Sequence, residues 1–349
     1  MRYIRFLKTP RIVVEKGTSR RQIHCLITIT SDLGDSFLPY DVELSAELLS
    51  SQNEEQTIVW KTVQWTSGMR SLAITLPLPK SSPPSLRVKV GTDAKSTHDE
   101  YSALSGEHTR GIVSAWSAPF SLSTPAMKLA ERRFTLPSNQ KLHIWEETGE
   151  SIARHIWDAG ITLSCHIYDI ASLLPPPRTP PLHILELGTG CGTVGISLAQ
   201  LLPNAHILLT DLPEATDIVS RNIRAAKPAN GSSLTFATLD WDADLPRYLP
   251  PSIDLVLAAD CTYNPDSSPA LVRTLGRLAE ASTRVVVAVA MKMRHSSEEV
   301  FFKLMEQAGF EEVRVLEYKL PGDVETGEEV VYLHVYGYGV GKGRDDVAA

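Results

Sequence analysis

Between Arg21 and Ile29 apolar and polar side chains alternate with a period of two, and β-branched residues recur through the run. That spacing predicts a half-buried strand, because successive side chains of a strand point to opposite faces. The same texture runs through Thr57–Trp65 and Ser71–Leu76, and Leu86–Val90 is a further strand. Pro77, Pro79, Pro83 and Pro84 separate these runs. The polar stretch Gly91–Gly111 reads as a long loop. Residues 1–125 are therefore expected to form a β-rich accessory domain, a small sandwich or barrel.

From Glu146 the pattern changes. Glu147–Asp158 and Ile161–Leu174 read as helices separated by Gly160, and Pro175-Pro176-Pro177 ends the second, since proline cannot continue a helix. Strands then alternate with helices. The strands are Leu182–Leu187, His206–Thr210, Ser233–Ala237, Ile253–Ala258 and Arg284–Ala290; helices start near Gly192, Pro213 and Ser268, and another covers Ser297–Ala308. Alternation with short loops implies right-handed crossovers and a parallel sheet covered on both faces. Glu312–Tyr318 and Glu329–Tyr338 break the alternation and read as an antiparallel pair. The expected fold class is α/β, a Rossmann-like, mostly parallel sheet over residues 126–340, with 341–349 as a disordered tail.

One loop in this domain carries a candidate ligand site. Leu182–Leu187 runs into Gly188-Thr189-Gly190-Cys191-Gly192, and a helix follows. Glycines let a backbone approach a ligand closely, and a helix start offers unpaired N–H groups. Gly188, Gly190, Gly192 and Gly195 satisfy a loose version of more than one nucleotide pattern, so their spacing does not name the ligand. Glu186 shifts the balance. Its carboxylate would repel a pyrophosphate but suits a ligand bearing an ammonium and a sulfonium. Asp211 ends the next strand, where a carboxylate can bind ribose hydroxyls. Trp241, in Asp240-Trp241-Asp242 after the third strand, can lie on an adenine face, and Trp157 precedes the sheet in Trp157-Asp158-Ala159-Gly160. The fourth strand ends in Ala259-Asp260-Cys261-Thr262-Tyr263, at the same sheet edge as the glycine loop. There Asp260 is placed to hydrogen-bond and orient an attacking amine, and Tyr263 to wall the site from water. The absence of a double proline after Asp260 lowers the odds of a nucleobase substrate.

Composition narrows the partners. The chain has 349 residues, 43% hydrophobic and 21% charged, and a net charge of −7. The acidic excess lies in the second half, which argues against a nucleic-acid partner; a solvated acidic surface accounts for it more readily than the steering of a basic substrate. Cys25, Cys165, Cys191 and Cys261 have no C-x-x-C spacing, which disfavours a structural zinc site, and no metal is expected. No apolar run has the length of a signal peptide or a membrane span. A cytoplasmic location, with the nucleus open, fits a chain of this kind.

Taken together, residues 130–338 resemble the seven-strand protein-lysine methyltransferases of methyltransferase family sixteen. The resemblance rests on Trp157-Asp158-Ala159-Gly160, Glu186–Gly192, Thr210-Asp211, Trp241, Ala259–Tyr263 and the late stretch Met291–Glu298 with Phe301-Phe302. It implies S-adenosylmethionine as cofactor, bound by Trp157, Glu186, Gly188, Thr189, Gly190, Asp211, Trp241 and Ala259. It implies Asp260 and Tyr263 as the catalytic pair and a protein lysine as acceptor. A small-molecule amine methyltransferase and a catalytically silent scaffold of the same fold are the alternatives. A nicotinamide oxidoreductase is disfavoured by Glu186 and the antiparallel tail.

Overall fold

The structure is a computed structural model that describes residues 1–15, 17–51, 55–104, 111–149, 154–174, 181–282, 284–321 and 330–339. It divides into two units, Met1–His155 and Ile156–Ala349.

The first unit is β-rich, as its alternating texture requires. One sheet holds four strands in the order Leu72–Pro77, Arg21–Thr30, Arg2–Val14, Ile112–Val113. The second has seven, including Gln56–Trp65 at one edge and Lys141–Glu147 at the other. Arg2–Val14 escapes the sequence pattern because its pairing with Arg21–Thr30 shifts register on both sides of Lys8. Such an irregularity breaks the period of two and accommodates Pro10. Val42–Ser50 is rich in Leu, Glu and Ser, yet it is a strand paired on both sides. Tertiary pairing overrides its local preference.

Two expectations are corrected at the end of this unit. Glu147 ends a strand instead of starting a helix, and among the described residues of 147–158 only Asp158 lies in an α-helix. Lys141–Glu147 alternates buried and more exposed side chains and pairs with Leu129–Thr135 along its whole length. The unit consequently runs to His155, thirty residues past the expected boundary at 125. Within the expected loop Gly91–Gly111, Asp99–Glu100 pairs with Phe134–Thr135 and Tyr101–Leu104 is a helical turn. The expected triple-proline stop and the tail 341–349 lie outside the described residues.

The second unit begins with α1 (Asp158–Cys165) and α2 (Ile167–Ser172). Gly160 lies inside the first turn of α1 and does not break it. Seven strands follow: β1 (Leu182–Leu187), β2 (Ala205–Asp211), β3 (Ser233–Thr238), β4 (Leu255–Ala259), β5 (Val286–Met291), β6 (Phe310–Lys319) and β7 (Val330–Tyr338). Their order in the sheet is 3-2-1-4-5-7-6. The first four pairings are parallel and β7 runs antiparallel to both neighbours. The helices between them are α3 (Thr193–Leu201), α4 (Thr216–Ala225), α5 (Ser268–Ala281) and α6 (Val300–Gln307).

Period-two alternation sorts β1 between two layers. Leu185 and Leu187 join Val256, Ala258, Val287 and Val289 in a core closed by Leu271, Leu275 and Leu278 of α5 and Phe301 of α6. Burying each Leu or Val contributes roughly 1.5–3 kcal/mol. Ile184 and Glu186 point the other way, to the layer where Ile207 and Leu209 of β2 meet Gly195 of α3. A strand order that reverses at β1 opens a crevice at the carboxyl ends of β1 and β4, and there the loops after β1, β2 and β4 converge.

Candidate functional site

The loop after β1 is built on glycine. Gly188, Gly190 and Gly192 have φ of +59°, +54° and +81°, a region that side chains with a Cβ rarely enter. A Cβ on Gly188 would stand 2.6 Å from Cys261 Sγ and 3.3 Å from the Trp241 ring. The loop is thus pressed between the ends of β3 and β4. Its backbone is tied down on its other side: Thr189 N–H donates to the Thr210 carbonyl at 3.0 Å, and Gly190 N–H donates to Asp211 Oδ2 at 2.7 Å. Asp211 Oδ1 accepts from Leu212 N–H at 2.7 Å. Burial pushes the Asp211 carboxyl upward, opposed by these two hydrogen bonds.

Glu186 is set beneath the loop. It is 2% exposed, and its Oε2 accepts the Gly195 N–H at 2.8 Å, one of the unpaired donors in the first turn of α3. A side chain on Gly195 would collide with that oxygen. Burial raises the carboxyl to about 7, against the hydrogen bond from Gly195 and with the nearby Asp211 charge. Glu186 therefore holds the loop to the helix from below.

The loop after β4 carries the second group. Asp260 has φ +55°, a left-handed conformation uncommon outside glycine and stored here by its partners. It is 7% exposed. Its Oδ2 accepts Ala159 N–H in the first turn of α1 at 3.0 Å, and its Oδ1 pairs with Arg294 Nη1 at 3.1 Å. Lys292 N–H approaches the same oxygen at 3.4 Å. The expectation that this carboxylate faces an incoming amine is revised accordingly: it turns inward, toward α1 and the end of β5. Tyr263 differs. It is 50% exposed, and burial of its other half, then the Cys261 and Asp211 charges, raise its hydroxyl.

Trp157, the residue before α1, lies under the Arg294 guanidinium, whose carbon is 5.8 Å from the ring centroid. Ala259 closes β4 opposite Ala290 of β5. Asp240 and Asp242 stay at the surface, and Asp242 pairs with Arg273 at 3.0 Å.

Sequence reading assigned no role to three charged residues. Lys292 Nζ pairs with Asp158 at 2.8 Å, and both side chains are buried. Arg294 is the partner of Asp260. All three stood inside quoted motifs, yet nothing in their spacing pairs residue 158 with 292 or 260 with 294. Only the neighbouring ends of β4, β5 and α1 bring them together.

The arrangement fits a cationic, adenosyl-bearing cofactor. The loop is a cradle that a Cβ at Gly188 would fill, Asp211 is fixed at its rim, and Trp241 flanks it. Residues 137–308 match the lysine methyltransferase family. A UPF0665 family protein of Schizosaccharomyces pombe is 28% identical over 305 residues, 86% of this chain and 91% of the relative. EEF1A lysine methyltransferase 3 of Xenopus tropicalis is 31% identical over 45% of this chain, spanning 66% of that relative. Protein N-lysine methyltransferase METTL21A of Danio rerio is 29% identical over 53% of this chain and 78% of the relative. Among solved structures, magnesium protoporphyrin IX methyltransferase from Synechocystis with bound SAM aligns over 51% of this chain and 77% of its own, at 17% identity and a TM-score of 0.37. Residues 137–308 thus form a lysine methyltransferase domain of the S-adenosylmethionine-dependent kind. No helix among the described residues is long and apolar enough to cross a membrane.

Proposed function

We propose that this domain methylates the ε-amine of lysine on a non-histone protein, and that its cofactor and acceptor meet at the shared edge of β1, β2 and β4. The observation that carries this reading is the convergence there of the Gly188–Gly192 loop, Asp211 and the Asp260–Tyr263 segment. S-adenosylmethionine supplies a methyl group already activated on a sulfonium. Gly188, Thr189 and Gly190 would line its path, Asp211 would bind the ribose hydroxyls, and Trp157, Trp241 and Ala259 would enclose the adenosyl part. Glu186 contributes charge and loop position from below rather than direct contact.

A lysine attacks only as the neutral amine, and its ordinary pKa is about 10.4. The entering side chain must lose its proton before the methyl group moves. Desolvation beside Tyr263 lowers that pKa, and a cation at the donor lowers it further. Tyr263, half-exposed at the mouth, would form the wall that strips water from the amine. Asp260 would hold that wall in place through its left-handed turn.

The four cysteines are free thiols and all are buried, which supports a reducing compartment, the cytosol with the nucleus as the second location. The N-terminal β unit, whose sequence has a slight basic excess, would recruit the substrate protein.

The test is incubation of cell extract with methyl-labelled cofactor and the full chain, followed by mass spectrometry. Label on lysine of discrete proteins supports the proposal. Label confined to RNA or to a small amine overturns it, and Asp260→Ala should remove the protein label.

A further inference from the structure

Two buried ion pairs stand side by side at the edge of the sheet. Asp158–Lys292 and Asp260–Arg294 join the first turn of α1 to the ends of β4 and β5. They are cross-braced, because Ala159 N–H and Lys292 N–H both point to the Asp260 carboxylate. Arg294 differs from Lys292 in what else it holds. Its Nη1 donates to Asp260 Oδ1 at 3.1 Å and to the Lys292 carbonyl at 3.3 Å, while the guanidinium lies over Trp157. Its own backbone is pinned from behind: Arg294 N–H donates at 2.9 Å to Glu298, a buried carboxylate that also accepts His295 N–H.

We propose that Arg294 is a positioning residue of the methyl-transfer site, fixing the Asp260 carboxylate with its edge and the Trp157 ring with its face. This rests on the reading that Trp157 borders the cofactor. The chemistry asks for arginine. A planar guanidinium can donate in its plane and stack across it at once, whereas an ammonium is a point charge without a face. The strained φ of Asp260 needs strong opposing bonds to persist, and a charge-assisted bond to Arg294 is the strongest of those that it receives. Without Arg294, Asp260 is a buried charge facing two amides, and the Trp157 ring loses its lid.

The experiment uses the full chain labelled with 5-fluorotryptophan. The chain has six tryptophans, and the ¹⁹F resonance of Trp157 is assigned with Trp157→Phe. Arg294→Ala should move the Trp157 resonance, leave those of the N-terminal tryptophans in place, and weaken S-adenosylhomocysteine about tenfold by calorimetry. Methylguanidinium at tens of millimolar should restore part of both. Arg294→Lys, which keeps charge but not the stacked plane, should give a smaller change of the same sign, and it carries the test if the alanine variant does not fold. A folded variant with an unmoved Trp157 resonance, or with wild-type affinity, overturns the proposal. Failure of the wild-type chain to bind S-adenosylhomocysteine would instead overturn the cofactor reading. The Trp157 resonance would still report on the clamp.

Discussion

Replacing Glu186 by glutamine should make the catalytic unit more stable at neutral pH and leave it unchanged in acid. The carboxyl is raised from its ordinary 4.5 to about 7, with burial the largest cause. A raised value means that the folded state binds the proton more tightly than the unfolded chain does. Stability is therefore undiminished below about 4.5 and falls as pH climbs to 7. Each pH unit of that window is worth about 1.4 kcal/mol, so ionising Glu186 costs the fold about 3 kcal/mol by pH 7. Glutamine keeps an oxygen for Gly195 N–H and carries no charge to desolvate. Urea unfolding followed at 222 nm reports mainly the second unit, since the described helices longer than one turn all lie there. Measured from pH 4.5 to 7.5, the difference between Glu186→Gln and wild type should open from near zero to about 3 kcal/mol in favour of the variant. Parallel stability curves would refute the argument, because they would mean that Glu186 ionises equally in both states.

Three further outcomes follow from the same site. Gly188→Ala places a Cβ 2.6 Å from Cys261 Sγ at a φ of +59°, so it should destabilise the unit by ~1–3 kcal/mol and abolish S-adenosylhomocysteine binding by calorimetry. Asp211→Asn retains one acceptor where two amides now donate, leaving Gly190 or Leu212 N–H unmatched; cofactor affinity should fall roughly tenfold, a loss of ~1.4 kcal/mol. Asp158→Asn or Lys292→Met alone breaks a buried ion pair and should cost about 3–5 kcal/mol, while the double variant should recover much of that loss in urea unfolding.

Much of the second unit was legible in the sequence because its strands are short, apolar and bounded by turn residues. Leu182–Leu187 and Ser233–Ala237 come within a residue of the observed strands. Even the direction of Glu186 was implicit, since alternation along β1 sets it with Ile184 and opposite Leu185. The first unit was harder. The register shifts around Lys8 hid Arg2–Val14, and Val42–Ser50, rich in Leu, Glu and Ser, owes its strand to two pairing neighbours.

What the sequence by itself determined was the list of chemical groups and their order: a glycine loop after a strand, an acid after the next, and Asp260 and Tyr263 after the fourth. Local rules suffice there, because a period of two and a run of glycines act within a few residues. The tertiary structure alone decided what those groups do to one another. It turned Glu186 under the loop to the start of α3, spent Asp211 on the amide of Gly190, and set Arg294 between Asp260 and Trp157. These contacts join residues up to 137 positions apart. They exist because parallel strands place the ends of β1, β2, β4 and β5 on one edge, whatever their separation along the chain.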